Sequence, residues 1–259
     1  MSKAPVNIVL CKSFSNNNET IDNYKSIFEK AGYNFEYLPT ICFIFINQCE
    51  LEKCLFKTDS YSGMILTSPR SVEAVDLILT KHPNILSQWR ELPVYCVGPS
   101  TENLARKCLN LRSCFGSHCG NSENLAKFIS TNLKCKDKPI LYPCSEISRD
   151  TIENHLIENE YKIKKIISYK TIPCDTLQQD AERIFKLTPQ IVVFFSPSVV
   201  DNLLIALGAK ATIFKRIKTI AIGSITGQSL TNAGIVVNAI SDKPDPESLL
   251  KAVQSIKLS

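Results

Sequence analysis

The sequence predicts an α/β protein of two similar lobes, each a parallel sheet flanked by helices, joined by a two-stranded linker. Short apolar runs alternate with amphipathic stretches, and a set of motifs recurs in the same order in both halves. Two extended segments are also too long for single strands.

The strand-like runs are residues 7–11, 63–67, 94–97, 140–142, 191–195, 219–222 and 235–239, all rich in β-branched or aromatic side chains. Stretches such as 71–79, 101–108, 121–133 and 247–256 follow them, with apolar residues returning every three or four positions as on a helix. Strands that are apolar throughout and alternate with helices imply sheets covered on both faces, hence parallel strands with helical crossovers.

The internal repeat is the more specific observation. Residues 65–75 resemble 193–203, and both carry Ser-Pro where a strand gives way to a helix, at Ser68-Pro69 and Ser196-Pro197. Residues 94–101 match 219–226, each a strand ending in glycine, Gly98 or Gly223, followed by the hydroxyl residues Ser100, Thr101, Ser224 and Thr226. Residues 121–125 and 245–249 then open a helix with a carboxylate in its first turn. Constant order and spacing point to duplication.

Segments 34–46 and 162–174 each follow a helix and a tyrosine, Tyr33 or Tyr161. Strands commonly run about five or six residues, so each segment is expected to leave one lobe and enter the other. That places residues 1–36 and 174–259 in a first, discontinuous lobe and 41–168 in a second, with 37–40 and 169–173 as linker strands.

Composition bounds the function. A chain of 259 residues with 44% hydrophobic and 21% charged residues is globular and large enough for one big domain or two of ordinary size. The formal charge of +5 is dispersed, which excludes the continuous basic stripe that duplex nucleic acid needs and suits a small anionic ligand. No apolar run reaches the roughly 18 residues of a membrane helix. The N-terminus lacks an apolar signal core, so the eleven cysteines are expected as reduced thiols of a cytoplasmic protein, with Cys11, Cys96 and Cys144 buried in strands. Cys108, Cys114, His118 and Cys119 lack the paired C-x-x-C spacing of a zinc site, so no metal is expected.

Glycine-rich dinucleotide and P-loop motifs are absent, as is G-x-S-x-G, and the histidines His82, His118 and His155 read as surface residues. Candidate chemistry falls instead on the strand-to-helix turns. Ser68 and Ser196 can cap their helices, and Pro at the first helical position loses no needed hydrogen bond. In parallel α/β sheets ligands bind beyond the carboxyl ends of strands, where free N–H groups at helix starts favour anions. Four such turns, two per lobe, are expected to face a shared cleft, with Arg70 and Lys218 flanking them and able to pair with carboxylates. This leaves three readings open: a cofactor-free enzyme acting on a carboxylate-rich small molecule, a non-catalytic two-lobed binding protein for an anionic metabolite, and a nucleotide-dependent transferase without the common motifs.

The ordered set Leu66-Thr-Ser-Pro-Arg-Ser-Val-Glu-Ala74, Cys119-Gly-Asn-Ser-Glu-Asn-Leu-Ala126, Leu141-Tyr-Pro-Cys-Ser145, Ser168-Tyr-Lys-Thr171, Phe194-Phe-Ser-Pro-Ser198 and Ala221-Ile-Gly223 resembles uroporphyrinogen-III synthases over nearly the whole chain. The resemblance implies two α/β lobes with the active site between them. It implies a cofactor-free lyase that closes the linear tetrapyrrole hydroxymethylbilane to uroporphyrinogen III, turning the last pyrrole ring around and losing water. Pyrrole nitrogen can expel the hydroxyl to give a reactive azafulvene, so the enzyme's task is chiefly to select a geometry, through a spirocyclic intermediate. By the same resemblance Tyr169 is the catalytic candidate, hydrogen-bonding the leaving hydroxyl. Thr101 and Thr226 match family hydroxyl positions, and Ser68, Arg70, Ser100, Ser196, Ser198, Lys218 and Ser224 complete the expected substrate contacts. The implied protein is a cytoplasmic monomer whose partner is its polycarboxylate substrate, without nucleic acid or membrane.

Overall fold

A computed structural model describes residues 7–12 and 23–257. The parts of the expected first lobe at 1–6, 13–22 and 258–259 lie outside the described residues. In chain order the elements begin with β1 (Asn7–Cys11), α1 (Asn23–Lys30), β2 (Asn34–Leu38), β3 (Ile41–Phe45), α2 (Gln48–Leu55), β4 (Gly63–Leu66), α3 (Pro69–Leu79) and α4 (Pro83–Trp89). There follow β5 (Val94–Cys96), α5 (Gly98–Leu109), β6 (Cys114–Phe115), α6 (Ser122–Asn132), β7 (Ile140–Ser145), α7 (Thr151–Glu158) and β8 (Ile163–Pro173). The chain ends with α8 (Leu177–Lys186), β9 (Ile191–Phe194), α9 (Pro197–Leu207), β10 (Lys218–Ala221), α10 (Ser224–Asn232), β11 (Ala239–Ile240) and α11 (Pro246–Gln254).

Two compact units result, unit 1 from residues 1–42 and 172–259 and unit 2 from 43–171. Unit 1 holds a five-stranded sheet in the order β11-β10-β9-β1-β2, every adjacent pair parallel. The second sheet has six strands in the order β3-β8-β7-β4-β5-β6, parallel from β8 to β6. β3 runs against β8, since Cys174 N–H donates to Thr40 O while Ile46 N–H donates to Ser168 O.

The apolar runs are explained by burial on both faces. Along β1, Val9 and Cys11 join a cluster with Val192, Phe194, Ile184 and Leu203, whereas Ile8 and Leu10 join Phe28, Val193, Ile220 and Leu249 on the opposite face. Unit 2 repeats this arrangement, with Met64 and Leu66 on one face and Ile65 and Tyr95 on the other. Each fully buried Leu, Ile, Val or Phe contributes on the order of 1.5–3 kcal/mol, so these double-sided sheets dominate stability. α8 shows the matching helical pattern, burying Leu177, Ala181, Ile184 and Phe185 at intervals of four, three and one.

Three expectations change. The run at 34–46 holds two strands, as its length implies, with Pro39 and Thr40 separating β2, which completes the unit 1 sheet, from β3, but the run at 162–174, also expected to be too long for a single strand, is the one strand β8 over eleven residues. A proline cannot donate to a ladder and ends β2 where it stands. The run at 235–239 yields only the short β11, because Asn238 spends its side chain and N–H on the backbone of Thr219. The third change concerns the cysteines. Cys11, Cys96 and Cys144 are buried free thiols, but Cys42 and Cys174 form a disulfide. Their Cα atoms stand 5.0 Å apart because the antiparallel crossing of β3 and β8 brings them side by side. The stretch Pro197–Lys215 has the length and hydropathy of a membrane span, yet α9 buries Val199, Val200, Leu203 and Leu207 in the unit 1 core and ends at Leu207.

The bridge closes a ring over a sequence separation of 132 residues, which contains all of unit 2. Loop-closure entropy for such a ring is about 5 kcal/mol at most. Cys42→Ala should therefore lower stability by several kcal/mol in urea unfolding under oxidising conditions, and should have no effect once the wild-type protein is reduced. An equal loss in both conditions would assign the effect to packing.

Candidate active site

Each unit presents its strand-to-helix turns along the carboxyl edge of its sheet, and the same bond keeps neighbouring turns level in both. Val97 N–H donates to Leu66 O at 3.1 Å in unit 2, and Ile222 N–H donates to Phe194 O at 3.0 Å in unit 1. The two Ser-Pro turns and the two glycine turns thus stand side by side, one pair per unit, as the repeat in the sequence implies.

In unit 2 the chain leaves β4 toward β5 but leaves β7 toward β8, so its connections part above the β4–β7 seam. Such a switch point opens a crevice at the carboxyl ends of strands. Ser68 stands there as the N-cap of α3: its Oγ accepts from Ser71 N–H at 3.2 Å, and Ser71 Oγ accepts from Ser68 N–H at 3.3 Å. Tyr169 reaches the same point through an irregularity in β8. Cys144 is paired with Ile167 but Ser145 with Tyr169, which leaves Ser168 as an inserted residue. Ser168 and Tyr169 are consequently both buried, against the usual alternation of a strand. Ser168 Oγ donates to Cys144 O at 3.3 Å and fixes the bulge.

The phenol oxygen of Tyr169 lies 2.7 Å from Ser68 Oγ. Ser68 Oγ already accepts from the helix, so its own hydrogen can go to the Tyr169 oxygen and leave the phenolic hydrogen for another acceptor. Beside this pair, the Phe43 ring meets Tyr169 edge to face at 6.3 Å, and the Arg70 guanidinium lies 4.2 Å over Phe43. Arg70 Nη1 donates to both carboxylate oxygens of Glu73 at 2.6 Å, and the two side chains are only 12% and 9% exposed. Tyr142 hydrogen-bonds Thr67, and burial pushes its phenol up to about 12. One helical turn beyond Glu73, Asp76 Oδ1 is buried without a partner. Burial, followed by the charge of Glu73, holds the Asp76 carboxyl above its usual range.

The remaining sequence candidates divide as follows. Ser100 is exposed and Thr101 buried in the first turn of α5, and Ser224 is exposed and Thr226 buried in the first turn of α10. Ser196 caps α9, accepting from Val199 N–H at 3.3 Å, and its Oγ lies 2.9 Å from that of Ser198. The two glycine turns, expected to be alike, differ: Gly98 has φ 77°, whereas Gly223 is extended. α10 also packs tightly on its sheet, since a Cβ at Gly227 would lie 2.8 Å from Ile240 Cδ1. Lys218 does not flank these turns. It opens β10 opposite Ile191, at the amino end of the strand, while Ser224 follows the carboxyl end. Phe43, Glu73 and Tyr142 were not among the sequence candidates, although Glu73 lies within the Ser-Pro-Arg motif itself.

A family model described as uroporphyrinogen-III synthase HemD matches residues 22–251. The chain is 28% identical over 243 residues to a uroporphyrinogen-III synthase of Schizosaccharomyces pombe, covering 91% of this chain and 92% of that protein. It is 26% identical over 276 residues to the Saccharomyces cerevisiae protein of the same name, covering 98% and 97%. In fold it is similar to the Helicobacter pylori uroporphyrinogen-III synthetase, with TM-score 0.63, 17% identity and coverage of 97% and 100%. A mutant Thermus thermophilus uroporphyrinogen III synthase gives TM-score 0.55, 14% identity and coverage of 96% and 97%.

Two stability measurements check the brace around Tyr169. Arg70→Met should cost about 3–5 kcal/mol because it strands a buried carboxylate, and adding Glu73→Gln should recover part of that loss in urea unfolding. Strictly additive losses would mean that the pair is not coupled. Asp76 has its folded pKa raised, so its native state loses stability as pH rises through that value. Asp76→Asn should therefore stabilise the protein at neutral pH, with the gain vanishing below the ordinary carboxylate range. A gain that persists in acid would overturn the assignment.

Proposed function

We propose, from the premise that this chain belongs to the uroporphyrinogen-III synthase family, that Tyr169 assists the departure of hydroxide and that the strand-end turns of each unit hold substrate carboxylates. The chain is an enzyme of tetrapyrrole biosynthesis, a cyclising lyase that converts hydroxymethylbilane to uroporphyrinogen III with inversion of ring D and loss of water. The rival reading, a binding protein without chemistry, gives way to that family match.

The observation that carries the mechanism is the 2.7 Å bond between Ser68 Oγ and the Tyr169 phenol. When the pyrrole nitrogen pushes out the hydroxyl, negative charge develops on the leaving oxygen. A phenol whose oxygen accepts from Ser68 can donate its hydrogen to that oxygen, water leaves, and the proton lost from the pyrrole N–H as the azafulvene forms balances the one that the phenol gave up. The azafulvene then reacts with the far pyrrole ring without further acid or base strength, so the outcome is set by which carbon is presented. The buried Thr101 and Thr226, and the hydroxyls of Ser68, Ser100, Ser196, Ser198 and Ser224, stand at helix starts where N–H groups favour carboxylates. Arg70 contributes by holding Phe43 and Tyr169 in place, since Glu73 already offsets its charge. Lys218, at the other end of its strand, is left out of this reading. The dispersed charge of the chain supports a small-molecule partner over duplex nucleic acid.

Freshly prepared hydroxymethylbilane is the test substrate, with the ring isomers of the product separated after oxidation. Wild-type protein should form the type III isomer, and Tyr169→Phe should lower kcat by about a hundred-fold or more with little change in thermal stability. An unchanged kcat would remove Tyr169 from the chemistry.

A further inference from the structure

We propose that Cys42 is a thiol–disulfide exchange site, and that opening its bond to Cys174 loosens the strand that places Phe43 against Tyr169 and so slows the enzyme. The proposal rests on the reading of Tyr169 as the group that assists hydroxide departure, and adds a site of control to it. β3 is an edge strand, with β8 as its one neighbour in the sheet. None of its five residues is buried, so packing holds it weakly. Yet it carries Phe43, whose ring meets Tyr169 at 6.3 Å and lies under Arg70. Ties close the strand pair on either side of these rings. Beyond one end of β3, Ile46 N–H donates to Ser168 O and Asn47 Nδ2 donates to Ile167 O, both at 2.9 Å. At the other end Cys174 N–H donates to Thr40 O at 3.4 Å, which is long for such a bond, and the disulfide stands beside it. The covalent tie therefore does at this end what two short hydrogen bonds do at the other.

The two sulfurs differ in access. Cys42 is exposed, whereas Cys174 is buried in the unit 1 core in one cluster with Leu38 and Leu177. A small thiol such as glutathione consequently attacks at Cys42. Its thiolate sulfur bonds to Cys42 Sγ, the Cys42–Cys174 bond breaks, and Cys174 leaves as a thiolate that takes up a proton. A second glutathione thiolate then bonds to the glutathione sulfur of the mixed disulfide, and Cys42 leaves as a thiolate that is protonated in turn. Two electrons pass in all, reducing one protein disulfide to two thiols and oxidising two glutathione thiols to one disulfide. The reverse reaction restores the bond. With the bond open, the end of β3 next to Phe43 keeps only its pairing to β8, and the ring that packs on Tyr169 gains freedom.

Glutathione buffers of graded reduced-to-oxidised ratio test the proposal, with kcat measured on freshly prepared hydroxymethylbilane and the bridged fraction by alkylation and mass spectrometry. Wild-type kcat should follow the bridged fraction and fall about five-fold when the bond is open, and the mixed disulfide should be found on Cys42. Cys42→Ser should stay at the lower value in every buffer, although Cys49 and Cys135 are also exposed thiols. A bond that no buffer opens, a wild-type kcat equal in both states, or a Cys42→Ser enzyme that follows the buffer as the wild type does would each overturn the proposal. Should Cys42→Ser fail to fold, amide exchange of the wild-type protein decides the matter: exchange over residues 41–46 should quicken about ten-fold on reduction, and equal rates would sink the idea. Absence of uroporphyrinogen III in every buffer would instead remove the reading of Tyr169, and this control with it, whereas its formation at one rate throughout would remove the control alone.

Discussion

Parallel strand pairing is the constraint from which the rest follows. In a parallel sheet every strand ends at the same edge, so every helix that follows a strand begins there, with its uncompensated N–H groups facing the same side. The bonds from Val97 to Leu66 and from Ile222 to Phe194 hold those edges level. Strand order then decides which turns stand over a gap, because a crevice opens only where successive connections depart in opposite directions. In unit 2 that point receives Ser68 and Tyr169, and in unit 1 it receives Phe195 and Ser196. The two units share one strand arrangement, and their seams carry different side chains.

Much of this was legible in the sequence, for identifiable reasons. Apolar strands alternating with amphipathic helices, and Ser-Pro at the turns, are local signals and led to the correct fold class and caps. Tyr169 was found through the family motif, and the local pattern alone would have left it one tyrosine among eight. Lys218 went wrong because the strand was located correctly but the lysine stands at its start, and only the carboxyl end carries a helix N-terminus. The Cys42–Cys174 bridge was missed because residues 132 apart meet only once β3 and β8 are seen to run antiparallel. Glu73 was overlooked within a motif already in view because its partner, Arg70, had been read as facing a ligand.

The bulge at Ser168 shows how a local irregularity serves a distant requirement. In a regular strand the residue after a buried one faces the other side of the sheet. Inserting Ser168 lets two successive residues, Ser168 and Tyr169, both be buried. One satisfies the backbone at Cys144, and the other sends its phenol to Ser68. Without the extra residue, Tyr169 and Ser68 could not share a hydrogen bond while β8 stayed paired to β7.

The brace of Arg70, Glu73 and Phe43 has the character that this chemistry asks for. A buried ion pair is seldom the most stabilising way to fill a core, since its desolvation cost offsets much of the attraction. What it does provide is direction. The guanidinium is planar, accepts only a narrow set of carboxylate geometries, and stacks flat on a ring. Glu73 thereby fixes Arg70, Arg70 lies over Phe43, and Phe43 packs on Tyr169 in a T-shaped contact. A reaction in which the substrate is already reactive, and only the carbon that bonds must be chosen, gains little from a stronger acid and much from a hydroxyl that cannot wander. The unpartnered Asp76 oxygen one turn further along α3 is consistent with the same priority, since stability has been given up next to the groups whose placement matters most.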